Sequence, residues 1–120
     1  MKRGTLHLTD AEAAAYGAPF PDPSYMAGVR AFPRLVMTDP GMEGVAESRA
    51  ALEFWSRDWS APSFMAVGAK DPVLGPDVMA RLRASIRGCP EPMIVEDAGH
   101  FVQEWGGPIA EAALESFGGA

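Results

Sequence analysis

The chain of 120 residues is poor in the residues that carry redox and metal chemistry: one cysteine, Cys89, and two histidines. A single thiol excludes an internal disulfide and fits a reducing, cytoplasmic setting. Cys89 precedes Pro90 with no His nearby, which reads as an inert thiol rather than a nucleophile. Two His and one Cys at unrelated spacings make no metal site. The glycines show neither G-x-G-x-x-G nor phosphate-loop spacing. Basic residues are in deficit, and the formal net charge of −6 disfavours nucleic acid or an anionic membrane as a partner. No apolar run is long enough to span a bilayer, and no secretory leader is expected. No serine or aspartate sits in a G-x-S-x-G-type elbow, and no His-Gly segment offers an oxyanion hole.

What remains is a chain with a core. Hydrophobic residues make up 48%, too many for disorder and enough for one domain. Met1 to Leu8 lacks periodicity, and His7 reads as solvated. Thr9-Asp10-Ala11-Glu12 fits a capping box, opening a short helix over Ala11–Tyr16 that Gly17 ends. Pro19, Pro21 and Pro23 favour an extended segment. A second short helix is expected from Ser24 to Phe32, with Tyr25, Val29 and Phe32 on one face and Pro33 as its stop. Thr38-Asp39-Pro40-Gly41 is a turn signal. Val45, Leu52, Trp55 and Trp59 form one stripe on a long helix expected over Glu43–Trp59, with Glu53 and Arg57 as an i,i+4 pair. Trp55, Trp59 and Trp105 read as packing residues.

The chemistry concentrates between Phe64 and Phe101. Ser63–Val67 and Met93–Val95 read as buried strands, each ending at a turn with one ionisable residue: Asp71 in the first, His100 in the second. A helix opened by Pro76 and Asp77 and closed by Gly88 lies between, with Val78, Met79, Leu82 and Ile86 inward. A last helix is expected over Pro108–Phe117, with Ile109, Ala112, Ala113 and Ser116 inward and Gly118-Gly119 fraying its end. Strand–helix–strand units are parallel and bring both turns to one sheet edge, where ligands gather. Asp71 before Pro72 is also an ordinary turn former, and a loop His also serves as a cap. Together they favour a site, because a carboxylate beside an imidazole sets its tautomer and stabilises its cation.

The strings Val67-Gly68-Ala69-Lys70-Asp71-Pro72-Val73-Leu74-Gly75-Pro76-Asp77-Val78-Met79, Gly88-Cys89-Pro90-Glu91-Pro92 and Asp97-Ala98-Gly99-His100-Phe101-Val102-Gln103-Glu104 closely resemble the C-terminal part of haloalkane dehalogenases. The match is to the subfamily whose prototype degrades 1,2-dichloroethane. It continues upstream through Leu8–Glu12, Ala18–Asp22 and Ala27–Pro33, nearly the whole chain. The resemblance implies an α/β fold: two parallel strands with flanking helices from the C-terminal part of an α/β-hydrolase (38–120), preceded by the helical tail of the cap domain (1–37).

The resemblance also implies an Asp nucleophile that displaces halide to give an alkyl ester, and a His-activated water that hydrolyses the ester. His100 matches the base and Asp71 its acidic partner. Phe32, Pro33 and Val36 match the end of the lid, which lines an apolar pocket for a small halogenated alkane. No metal or organic cofactor is implied. The residues after Asp71 depart from the prototype, which leaves substrate preference open.

The family's nucleophile, oxyanion donors and halide-holding tryptophans match nothing in these residues. Trp55, Trp59 and Trp105 inherit no halide role. The chain is therefore expected to be a fragment, inactive alone, with an unpaired apolar strand edge that favours self-association or complementation by an N-terminal piece. An epoxide hydrolase or esterase fragment, or a non-catalytic interaction module, stands as the alternative.

Overall fold

A two-stranded parallel sheet anchors the fold, and its register decides what meets at its edge. In a computed structural model describing residues 8–118, β1 (Ala66–Gly68) pairs with β2 (Met93–Val95), placing Ala66 opposite Met93 and Gly68 opposite Val95. His7 and most of the aperiodic Met1–Leu8 start lie outside the described residues, as does the end of the Gly118-Gly119 tail. The second strand falls where the apolar run places it. The first starts three residues later than Ser63–Val67 and ends one residue beyond it. Backbone pairing starts only where β2 begins, with Met93 N–H donating to Met65 C=O, so Ser63 and Phe64 have no ladder partner.

Helices surround this pair. Thr9 and Glu12 cap each other reciprocally at the start of α1 (Asp10–Ala15). Asp22 then caps a 3₁₀ turn (Pro23–Met26), followed by α2 (Ala27–Ala31) and another 3₁₀ turn (Phe32–Leu35). Pro33 does not stop this run. It sits in the first turn of the new 3₁₀ segment, where a missing N–H costs nothing. Tyr25, Val29 and Phe32 are all exposed rather than buried along one face.

Helix α3 (Val45–Glu53) widens into a π-helical turn (Phe54–Asp58) closed by Trp59 N–H on Phe54 C=O. The wider turn moves Arg57 out of line with Glu53, and no ion pair joins them. Arg87 instead reaches this end, its backbone N–H on Trp55 C=O and its guanidinium on Arg57 C=O. Phe54, Trp55 and Trp59 pack as a cluster of tilted rings. Helix α4 (Pro76–Ala84) ends four residues before Gly88, the chain turning over Ser85–Gly88. Val78, Met79 and Ile86 are half-buried, but Leu82 is exposed. Helix α5 (Gly106–Ser116) follows a 3₁₀ turn (Val102–Trp105); Ile109, Ala112 and Ala113 are half-buried and Ser116 is exposed.

The core is small: among the described residues Leu8, Met65, Val67 and Ala98 are its buried hydrophobic members. The accessible surface is 8883 Å², against about 6,300 Å² for a compact monomer of this mass. The radius of gyration of 17.1 Å likewise exceeds the ~14 Å of a compact 120-residue domain. Large apolar side chains, Phe32, Leu35, Val36 and Leu52 among them, stand in solvent. No described helix is long and apolar enough to cross a membrane.

Candidate active site

Both turns leave the sheet at the same edge because the strands are parallel and in register at Gly68 and Val95. Two backbone bonds tie them, Ala69 N–H to Val95 C=O (3.0 Å) and Lys70 N–H to Ala98 C=O (2.9 Å), while Ala98 N–H to Val95 C=O (3.0 Å) closes the second turn on itself. Outside them, Lys70 Nζ meets Asp97 Oδ1 at 2.6 Å. That charge-assisted hydrogen bond holds the exposed Asp97 carboxyl below its ordinary value.

Within this frame Asp71 meets His100. His100 Nδ1 lies 3.1 Å from both carboxylate oxygens. The Asp71 side chain is 8% exposed and the imidazole 41%. Asp71 Oδ1 also accepts the backbone N–H groups of Val73 (2.8 Å) and Leu74 (3.0 Å). Burial pushes the Asp71 carboxyl up. The Val73 and Leu74 N–H groups, then the hydrogen bond and charge of His100, outweigh it and hold the group below its ordinary value. Asp71 is thus an ionised acceptor, matched to an Nδ1–H. His100 Nε2 has no hydrogen-bond partner among the described residues, which leaves the basic nitrogen for a substrate or water.

Gly75, at the start of α4, lets this loop close, since a Cβ there would meet Asp71 C=O at 2.5 Å. On the other side Phe101 packs edge-to-face on Tyr16, just beyond α1 (ring centroids 6.0 Å), and Tyr16 Oη donates to Glu104. The N-terminal segment therefore rests against the His100 turn. Sequence reasoning misses the Lys70–Asp97 tie and the two N–H groups on Asp71. Opposite charges at matched turn positions, and an Asp-Pro turn whose side chain bonds two residues ahead, were the available signals.

Phe32, Pro33 and Val36 are exposed, and the Pro23–Leu35 run packs chiefly on itself. Grooves lie elsewhere among the described residues. One of about 360 Å³ is bordered by Leu52, Trp55, Leu82 and Ile86, another of about 260 Å³ by Trp55, Trp59, Phe64, Cys89 and Phe117. Neither includes Asp71 or His100. No cluster of three His, Cys, Asp or Glu side chains converges as a metal site among the described residues.

Parallel strands, a crossover helix and an acid and a histidine on successive strand-end turns define part of an α/β-hydrolase fold. Comparison narrows the class: the chain is homologous to haloalkane dehalogenases. It superposes on the tetrameric haloalkane dehalogenase DpaA from Paraglaciecola agarilytica NO2 with a TM-score of 0.87 and 50% identity, covering 92% of this chain and 37% of that one. It is 41% identical over 113 residues to Haloalkane dehalogenase 1 of Mycobacterium tuberculosis, covering 92% of this chain and 37% of the relative. It is 35% identical over 120 residues to the haloalkane dehalogenase of Psychrobacter cryohalolentis, covering 98% and 39%. No protein-family model matches. The chain spans well under half the length of these relatives.

Proposed function

We propose that Asp71 and His100 are the acid–base half of a haloalkane dehalogenase site. The observation that supports this most is the ionised, buried Asp71 held against Nδ1 of an otherwise open His100. In this reading a carboxylate outside these 120 residues attacks the halogen-bearing carbon of a haloalkane. A C–O bond forms, the C–X bond breaks, and halide leaves with the electron pair. His100 Nε2 then takes a proton from water as its oxygen attacks the ester carbonyl carbon. The alkyl-oxygen-to-acyl-carbon bond breaks as the leaving oxygen takes the remaining proton of the added water, the alcohol departs, the carboxylate is restored, and the His100 imidazolium gives its proton up to solvent. Asp71 keeps the proton on Nδ1 and stabilises the imidazolium.

Residues 1–37 are assigned to the cap and 38–120 to the core, with Phe32, Pro33 and Val36 as apolar pocket wall. The surface excess over a compact monomer supports a chain that works against further polypeptide rather than alone. The dehalogenase names of these relatives weigh against an ester or epoxide substrate.

The test is a chimera in which this chain replaces the matching portion of the Paraglaciecola agarilytica enzyme. Bromide release from 1-bromobutane is followed alongside His100→Gln. Turnover by the chimera, with His100→Gln arrested as a covalent alkyl ester detected by mass spectrometry, is the expected result. A folded chimera whose turnover ignores His100→Gln refutes the assignment. Bromide release by the isolated chain that disappears in Asp71→Ala refutes its inactivity alone.

A further inference from the structure

The separation of acid and base is set by how closely two backbones approach, and that approach depends on one position. A Cβ built on Gly68 would lie 2.5 Å from Gly99 C=O and 2.7 Å from Ala98 C=O. Both obstacles are backbone, so no side chain can swing aside. We propose that Gly68 is a positioning residue for the pair: its missing side chain lets the turn carrying His100 settle against the turn carrying Asp71. This rests on the acid–base reading of the pair.

Gly99 immediately precedes His100, and Gly68 stands three residues before Asp71. A methyl group at Gly68 would drive Gly99 C=O back by about 1 Å to reach an ordinary contact in a close-packed interior. The displacement has no easy outlet. Ala98 is fully buried, its carbonyl accepts Lys70 N–H and its N–H donates to Val95 C=O. The movement therefore falls on the turns themselves. An increase of that size takes a 3.1 Å Nδ1–carboxylate contact outside hydrogen-bond range. The Lys70–Asp97 pair also spans the turns, but its side chains are 64% and 79% exposed and follow a displacement instead of resisting it.

Imidazole ¹⁵N NMR on the full chain tests this, because the chain has only two histidines to assign. Neutral His100 of the native chain is expected to carry its proton on Nδ1. Gly68→Ala, checked for folding by circular dichroism, is expected to lose that form while helix content is kept. A folded Gly68→Ala with the native tautomer overturns the proposal. Should Gly68→Ala fail to fold, Lys70→Met decides. Retention of Nδ1–H supports Gly68 as the spacing element. Its loss assigns the spacing to the ion pair and overturns the proposal. A native chain without Nδ1–H overturns the acid–base reading itself, an outcome distinct from a failure at Gly68.

Discussion

Asp71→Asn separates what the carboxylate does by charge from what it does by shape. Asn retains a carbonyl oxygen that can accept the Val73 and Leu74 N–H groups at 2.8 and 3.0 Å, so the loop keeps its turn. That choice leaves the amide NH₂ facing His100 Nδ1, where a carboxylate oxygen now lies at 3.1 Å. Nδ1 then has to accept, the proton moves to Nε2, and the nitrogen that should take a proton from water already holds one. A mis-set tautomer in an acid–His pair costs on the order of 10⁴-fold in rate, so the Asp71→Asn chimera should fall by about that factor in bromide turnover from 1-bromobutane. Halide displacement does not pass through the imidazole. One equivalent of bromide should still be released, with alkyl ester accumulating. The same substitution changes acid stability. Asp71 titrates lower folded than unfolded, so its contribution is fully present above about pH 4, the unfolded carboxyl value. It is lost as pH falls through the depressed folded value. Urea midpoints across that window should fall less steeply for Asp71→Asn than for the native chain. Turnover within tenfold of native, or an unchanged acid slope, would refute this account of the pair.

Other expectations follow from packing. Val67→Ala removes two carbon groups from a site 2% exposed and should cost about 2 kcal/mol, read as a lower urea midpoint of the isolated chain. Thr9→Ala opens the capping box of α1 and should cost about 1 kcal/mol, seen as faster amide exchange confined to 10–15. Sedimentation velocity should show the isolated chain associating as its concentration rises, given its exposed apolar residues and surface excess. A monomer at every concentration with one sharp thermal transition would count against that.

Legibility from sequence followed how local the governing interaction is. The capping box needs only Thr9 and Glu12, and it forms. Met93–Val95 stands out because Pro92 and the turn at Asp97 bracket it on both sides. The Asp71–His100 meeting is long-range, yet it was readable because a parallel crossover leaves little choice of edge for the two turns. The failures are cases where a distant partner decided. Ser63 and Phe64 have strand character, but β2 begins too late in the chain to pair with them. Leu82 lies on the apolar side of α4, yet no neighbour covers it. The π-helical turn at Phe54–Asp58 is held partly by Arg87, thirty residues from the carbonyl of Arg57 that it caps, which no periodicity reveals.

The exposed positions carry an argument of their own. Tyr25, Val29 and Phe32 fall on one face by their spacing and Leu82 is expected inward, yet all four are exposed. The spacing is sound and the cover is what is lacking within these residues. A pattern of this kind reports the surroundings in which a sequence is stable, whether or not one polypeptide supplies them all. The Asp71–His100 pair is held by a few backbone bonds and by the close backbone approach at Gly68. It can hold its geometry while the helices around it await a partner. Acid–base alignment should therefore survive in the isolated chain even where turnover does not, and the imidazole tautomer is the observable that separates the two.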